Sequence, residues 1–202
     1  MEHSAPVRYF DRDFHVETVK ILPGQFHAAA GDGEGSISTL LGSCVSTCLW
    51  DPVERIGGMN HFMLPGEPDA ASPWAVSARF GVYAMEVLIN RMVRLGADRR
   101  RFVAKVFGGA RVVQAFETLD VGAKNSEFVL DFLREEGIQL LAQDLLGVSP
   151  RKVHFFPATG KVRLRKLHQL ADDTVHRQER EYLARLAGRH RGGEIEIFPA
   201  TR

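Results

Sequence analysis

Glycine and proline cut this chain of 202 residues into short pieces. Pro23-Gly24, Gly42, Asp51-Pro52, Pro65-Gly66 and Gly108-Gly109 each close an apolar or β-branched run of a few residues, the length of a strand rather than a helix. Strands are therefore expected at Thr18–Leu22, Ser36–Leu41, Val45–Trp50, Arg55–Leu64, Phe102–Phe107, Ile138–Leu141, Val153–Phe156 and Val162–Leu167, with the Gly-rich run Ala28–Gly35 a loop. Two stretches carry helical periodicity. In Ser77–Leu95, Val82, Met85, Leu88, Ile89, Met92 and Leu95 recur at three- and four-residue steps, and Gly96 supplies the stop. The other starts from Asn125 as N-cap, buries Phe128, Val129, Phe132 and Leu133, and ends at Gly137. Strands and helices interleave with hairpins among them, which predicts a mixed α/β or α+β domain and not a doubly wound nucleotide fold.

Residues 1–17 read as a flexible leader, 18–170 as the working domain, and 171–202 as a charged helical tail belonging to the same domain. The tail has Tyr182, Leu183 and Leu186 on one side and a closing strand at Glu194–Phe198. It could cover the sheet, meet a partner or stand solvated. With 26 Lys+Arg against 25 Asp+Glu the net charge is +1, so no global field favours nucleic acid or an anionic membrane. The uncharged run from Ile37 to Trp50 falls short of the roughly 20 residues that span a bilayer. The first residues lack a basic region followed by an apolar run, so a cytoplasmic protein with reduced thiols is expected. Phe107-Gly108-Gly109-Ala110 matches neither phosphate-binding glycine motif.

Cys44 and Cys48 are the two cysteines. On one extended strand their Cα atoms lie about 13 Å apart, too far for a disulfide. With His61 they make three potential metal ligands and no second pair, so no metal is expected. If Asp51-Pro52-Val53-Glu54 is the turn of a hairpin, Trp50 faces Arg55 and Cys44 faces His61. A Cys–His pair follows, set in an open pocket. The imidazole lowers the thiol's pKa and returns a proton to the leaving group. Gly42-Ser43 permits a tight turn that aims backbone N–H groups at a developing oxyanion. Ser38, Thr39 and Asn60 are the local groups able to orient the imidazole. Cys48, deeper in the strand, is expected in the core.

These residues resemble the CheD family, the chemoreceptor glutamine deamidases of bacterial chemotaxis. The likeness is carried by Leu41-Gly42-Ser43-Cys44-Val45, by Asp51-Pro52, and by Gly57-Gly58-Met59-Asn60-His61-Phe62-Met63-Leu64-Pro65. It continues through Arg79-Phe80-Gly81, Ala104–Ala110, Gly122-Ala123-Lys124-Asn125 and Phe155–Val162. The resemblance implies an α/β layered sandwich with mixed and antiparallel sheets, shared with bacterial toxin deamidases. It implies a hydrolase without cofactor, in which Cys44 is the nucleophile and His61 the general acid/base. The third member, a threonine six residues before the cysteine in the family pattern, falls here on Ser38, with Thr39 the alternative. Chemoreceptor cytoplasmic helices are the implied substrate, and a CheC-type phosphatase a further partner. Glutamate methylesterase activity on the same receptors and a non-catalytic adaptor role are the alternatives. At Asp144-Leu145-Leu146-Gly147 the chain departs from the family's Gly-Gly pair, keeping the second glycine.

Overall fold

The computed structural model describes residues 6–31, 35–64, 73–111 (side chains from 79) and 120–167, together with helical residues 175, 177, 179–182 and 184. Ten strands form two five-stranded sheets. β1 (Val7–Asp11), β2 (Val16–Lys20), β4 (Gly35–Leu41), β9 (Arg151–Phe156) and β10 (Lys161–Lys166) lie side by side in the first. The second has the order β3 (Phe26–Ala30), β6 (Ile56–Asn60), β5 (Val45–Asp51), β7 (Val103–Gly108) and β8 (Gln139–Leu145). Helices α1 (Pro73–Arg94) and α2 (Val121–Glu135) pack on the second sheet. The resulting order of layers is sheet, sheet, helices: a mixed α/β sandwich, as the family likeness implies.

Strand alternation divides β5 between two cores. Val45 and Leu49 join Met85, Leu88, Ile89 and Met92 of α1 and Phe128, Val129 and Phe132 of α2. Cys44 and Cys48 point the other way, into the space between the sheets, beside Ile37, Leu41, Met59, Met63, Val153 and Phe155. β6 fits between both layers because it carries glycines. A Cβ on Gly57 would lie 2.8 Å from the Phe155 ring, and one on Gly58 would lie 2.6 Å from Leu88. Val82, grouped by periodicity with the buried face of α1, is 42% exposed. Among the described residues, no helix is long and apolar enough to cross a membrane.

Several expectations are corrected. The leader is not loose over its described part: Val7–Asp11 pairs antiparallel with β2. Its edge position leaves most of it exposed, which is why the sequence shows no apolar alternation there. The Asp11 carboxylate accepts from the Asp13 and Phe14 N–H groups and closes the turn. Ala28–Gly35 contains strand rather than loop, since β3 pairs with β6 and its small side chains suit the crowded glycine strand. Helix α2 begins four residues before Asn125, capped by Asp120, whose carboxylate accepts from Ala123 N–H. Leu183, Leu186 and the strand at 194–198 lie outside the described residues.

The β5–β6 hairpin turns one residue later than its sequence suggests. Asp51 faces Ile56 and the loop is 52–55, so Trp50 faces Gly57 rather than Arg55. Asp51 is the cause. Its carboxylate accepts from Val53 N–H, Glu54 N–H, Asp98 N–H and the Arg101 guanidinium, while Arg55 adopts a left-handed φ of 55°. Burial acts to raise the Asp51 pKa, but Arg101 and the three N–H donors outweigh it and hold the group at about 2. A carboxyl depressed on folding stabilises above the ordinary carboxylate range, and that contribution is lost as pH falls through the folded value. The depression corresponds to about 2 kcal/mol. Asp51→Asn should cost about that much in urea unfolding near neutral pH and should flatten the loss of stability between roughly pH 4 and pH 2. An unchanged midpoint and slope would contradict this account of the turn.

Candidate active site

Val45 exchanges both backbone hydrogen bonds with Phe62, at 3.0 and 2.9 Å, beyond the regular β5–β6 ladder. In this register Cys44 falls opposite Met63, and His61 opposite Ser46. The two site residues are therefore diagonal neighbours on one face instead of direct partners. Each strand has shifted by one residue, so parity is kept and both side chains still enter the space between the sheets. Between Val45 and Cys48 the ladder is opened by side chains: Asn60 Oδ1 accepts Thr47 N–H, and the Ser46 hydroxyl donates to the Asn60 carbonyl. Asn60 is thus committed to strand pairing and does not touch the imidazole.

Thr39 does. Its hydroxyl lies 2.7 Å from His61 Nδ1 and donates at 2.8 Å to the Ile21 carbonyl. A threonine hydroxyl has one proton, and the Ile21 carbonyl takes it. Nδ1 must then be the N–H donor, which leaves Nε2 with a bare lone pair. Nε2 makes no hydrogen bond among the described residues. Burial lowers the His61 pKa to about 3, so the ring is neutral at physiological pH and able to accept a proton.

Ser38, expected as the orienting hydroxyl, lies on the opposite face of β4. It faces His154 across the β4–β9 pair and bonds Tyr9 Oη at 3.1 Å. The alternation shows why. Ile37 and Leu41 are inward, and Thr39 shares their parity.

The loop carrying Cys44 is fixed by two neighbours. Gly109 N–H donates to the Cys44 carbonyl at 2.8 Å, and Ala110 N–H to the Gly42 carbonyl at 2.7 Å. Gly108 and Gly109 have φ of 116° and 66°, and a Cβ on Gly108 would lie 2.1 Å from the Cys44 carbonyl oxygen. Only glycine permits that approach. From α2, buried Asn125 spans two loops, donating to the Ser43 carbonyl and accepting from Leu64 N–H, both at 2.8 Å. Leu146 stands in the loop that departs from the family pattern and keeps a glycine-like φ of 63°, a strain of about 1–2 kcal/mol for a side chain. Its N–H donates to the Gly108 carbonyl, so the loop still braces the glycine turn.

The expected open pocket is closed. Cys44 is fully buried and His61 is 2% exposed. Glu179, from the C-terminal segment, covers them: Oε1 accepts Cys44 N–H at 3.1 Å and Oε2 accepts the Ser43 hydroxyl at 2.8 Å. Burial pushes the Cys44 thiol well above its ordinary pKa, and the Glu179 carboxylate pushes it further. Cys48 is buried and also raised, by desolvation. Sequence reasoning missed Glu179, although it stands four residues after Val175 and three before Tyr182, on one helical stripe. It also missed Asn125 as a bridge between loops.

Comparison with known proteins gives the family. A family model described as "CheD chemotactic sensory transduction" matches residues 63–166. A Dechloromonas aromatica protein named probable chemoreceptor glutamine deamidase CheD 1 is 51% identical over 197 residues, covering 98% of this chain and 96% of the relative. A Thiobacillus denitrificans protein named probable chemoreceptor glutamine deamidase CheD is 49% identical over 198 residues, covering 98% and 97%. The chain belongs to the CheD family. In this CheD protein, Asn125→Ala would leave the buried Leu64 N–H and the part-buried Ser43 carbonyl without this partner, a loss of about 2–3 kcal/mol. Asp120→Ala removes one cap and should cost only about 1 kcal/mol. Urea unfolding compares the two, and equal losses would mean that Asn125 does not bridge the loops.

Proposed function

We propose that this protein hydrolyses the side-chain amide of glutamine residues on chemoreceptors, releasing ammonia and leaving glutamate. The names of its near-full-length relatives support that substrate. The observation that carries the chemistry is the His61 tautomer: Thr39 holds Nδ1–H, and Nε2 is bare.

His61 Nε2 takes the Cys44 proton, and the thiolate attacks the carboxamide carbon. Cys44 N–H and the Ser43 hydroxyl, the two donors now turned to a carboxylate, hold the oxyanion. Protonated Nε2 gives its proton to the departing nitrogen, so the C–N bond breaks as ammonia forms and a thioester remains. Water, deprotonated by the same nitrogen, attacks the thioester. The C–S bond breaks, the thiol regains its proton, and glutamate leaves. Thr39 keeps the ring turned through both halves and, through Ile21, ties its position to the other sheet. Gly42 acts through its carbonyl, which anchors the turn to Ala110. A non-catalytic adaptor would need none of this.

Intact-mass measurement of receptor cytoplasmic fragments provides the test. Wild-type protein should add about 1 Da per modified site, whereas ester cleavage would subtract about 14 Da. Cys44→Ala should show no change, and His61→Ala should lose about 10²–10⁴-fold in rate. Thr39→Val should slow turnover roughly tenfold or more, with Ser38→Ala within about twofold of wild type. Wild-type rates in Cys44→Ala would defeat the assignment of the nucleophile.

A further inference from the structure

The C-terminal segment brings a glutamate to a site that, on the reading above, makes glutamate. Val175, Glu179 and Tyr182 follow the i, i+4, i+7 spacing of one helical face. Val175 is 1% exposed, and Tyr182 packs against the core between the sheets. The Tyr182 ring lies so close to Gly24 that a Cβ there would come within 2.6 Å of it. Gly24 in turn donates its N–H to the His61 carbonyl, so the ring rests on the loop beside the catalytic strand. The neighbouring helical residues 177, 180, 181 and 184 are exposed. Among the described helical residues Glu179 is therefore the single acid on the buried face, itself 5% exposed, with its carboxylate on the donors of the nucleophile turn.

Burial first, and then the Glu179 carboxylate, push the Cys44 thiol well above its ordinary pKa. His61 Nε2 is meanwhile unpartnered among the described residues. A side chain of the same type and length as the product occupies both donors that an amide oxygen needs.

We propose that Val175, Glu179 and Tyr182 form a built-in plug whose Glu179 mimics the glutamate product, occupying the Ser43–Cys44 subsite and holding the enzyme closed until a substrate helix displaces it. The subsite thereby selects a carboxamide or carboxylate at the end of a two-methylene side chain. This inference rests on the deamidase reading for the identity of the ligand but not for the closure itself.

Alkylation of Cys44 by iodoacetamide in the full-length protein, located by peptide mass mapping, tests the closure without any receptor. Glu179→Ala and Tyr182→Ala should each raise the Cys44 labelling rate about tenfold or more, because the buried thiol gains access and loses an adjacent anion. Arg180→Ala, on the exposed side of the same helix, should label at the wild-type rate. Circular dichroism and thermal midpoints confirm that each variant is folded. The same proteins are then assayed on receptor fragments, where the two plug variants should exceed wild type in initial rate. Labelling at the wild-type rate in both plug variants overturns the proposal, even if deamidation proceeds. Faster labelling with no deamidation by any variant keeps the plug and removes the deamidase reading.

Discussion

The bond between Thr39 and His61 joins the two sheets at the point where chemistry is to occur. Thr39 belongs to the first sheet, and His61 to the chain that continues β6 of the second. Its hydroxyl proton is already committed to the Ile21 carbonyl, and that commitment fixes which imidazole nitrogen carries hydrogen. The direction of one hydroxyl proton thus decides whether Nε2 is a base or a donor. Burial reinforces the choice by keeping the ring uncharged. The resting pair is accordingly a neutral imidazole and a protonated thiol, and no ion pair has to be sustained in the apolar space between the sheets.

Around this bond, the nucleophile turn is held by backbone groups rather than by its own side chains. The Gly108-Gly109 bend approaches Cys44 within a distance that no Cβ allows, and Asn125 binds the same turn from the helical layer. Each layer therefore contributes: the first sheet through Thr39 on His61, the second through its glycine bend on Gly42 and Cys44, and the helices through Asn125 on Ser43. Such support fixes the direction of the Cys44 N–H. In the proposed reaction that N–H meets the developing negative charge, and preorganisation of that kind lowers a barrier most effectively in a site closed to water.

Much of this was legible in the sequence, because it depends on local signals. The glycine and proline breaks located most strands, and helical spacing found both long helices. Cys44 and His61 were placed on one face from the hairpin alone. The register was misplaced by one residue on each strand, because Asp51 works as a turn-closing acceptor only once Asp98 and Arg101 are folded against it. Since each strand moved by one, facing parity survived the error. The choice between Ser38 and Thr39 was available in the alternation Ile37, Thr39, Leu41, but the count back from the cysteine favoured the wrong parity. Asn125 has the composition of a cap, and only tertiary structure shows that it is buried between loops. Helical spacing puts Glu179 on one stripe with Val175 and Tyr182, but its contact with Cys44, 135 residues away, needs the tertiary structure.

The measurement that bears most directly on this account is nitrogen-15 NMR of the His61 ring, which reads the proton position directly. Near pH 7, two-bond correlations should show a protonated Nδ1 and an unprotonated Nε2. Thr39→Val should abolish that preference, and Ser38→Ala should leave it intact. A wild-type ring protonated on Nε2, or a doubly protonated ring paired with a Cys44 thiolate, would contradict the proposed route of the proton.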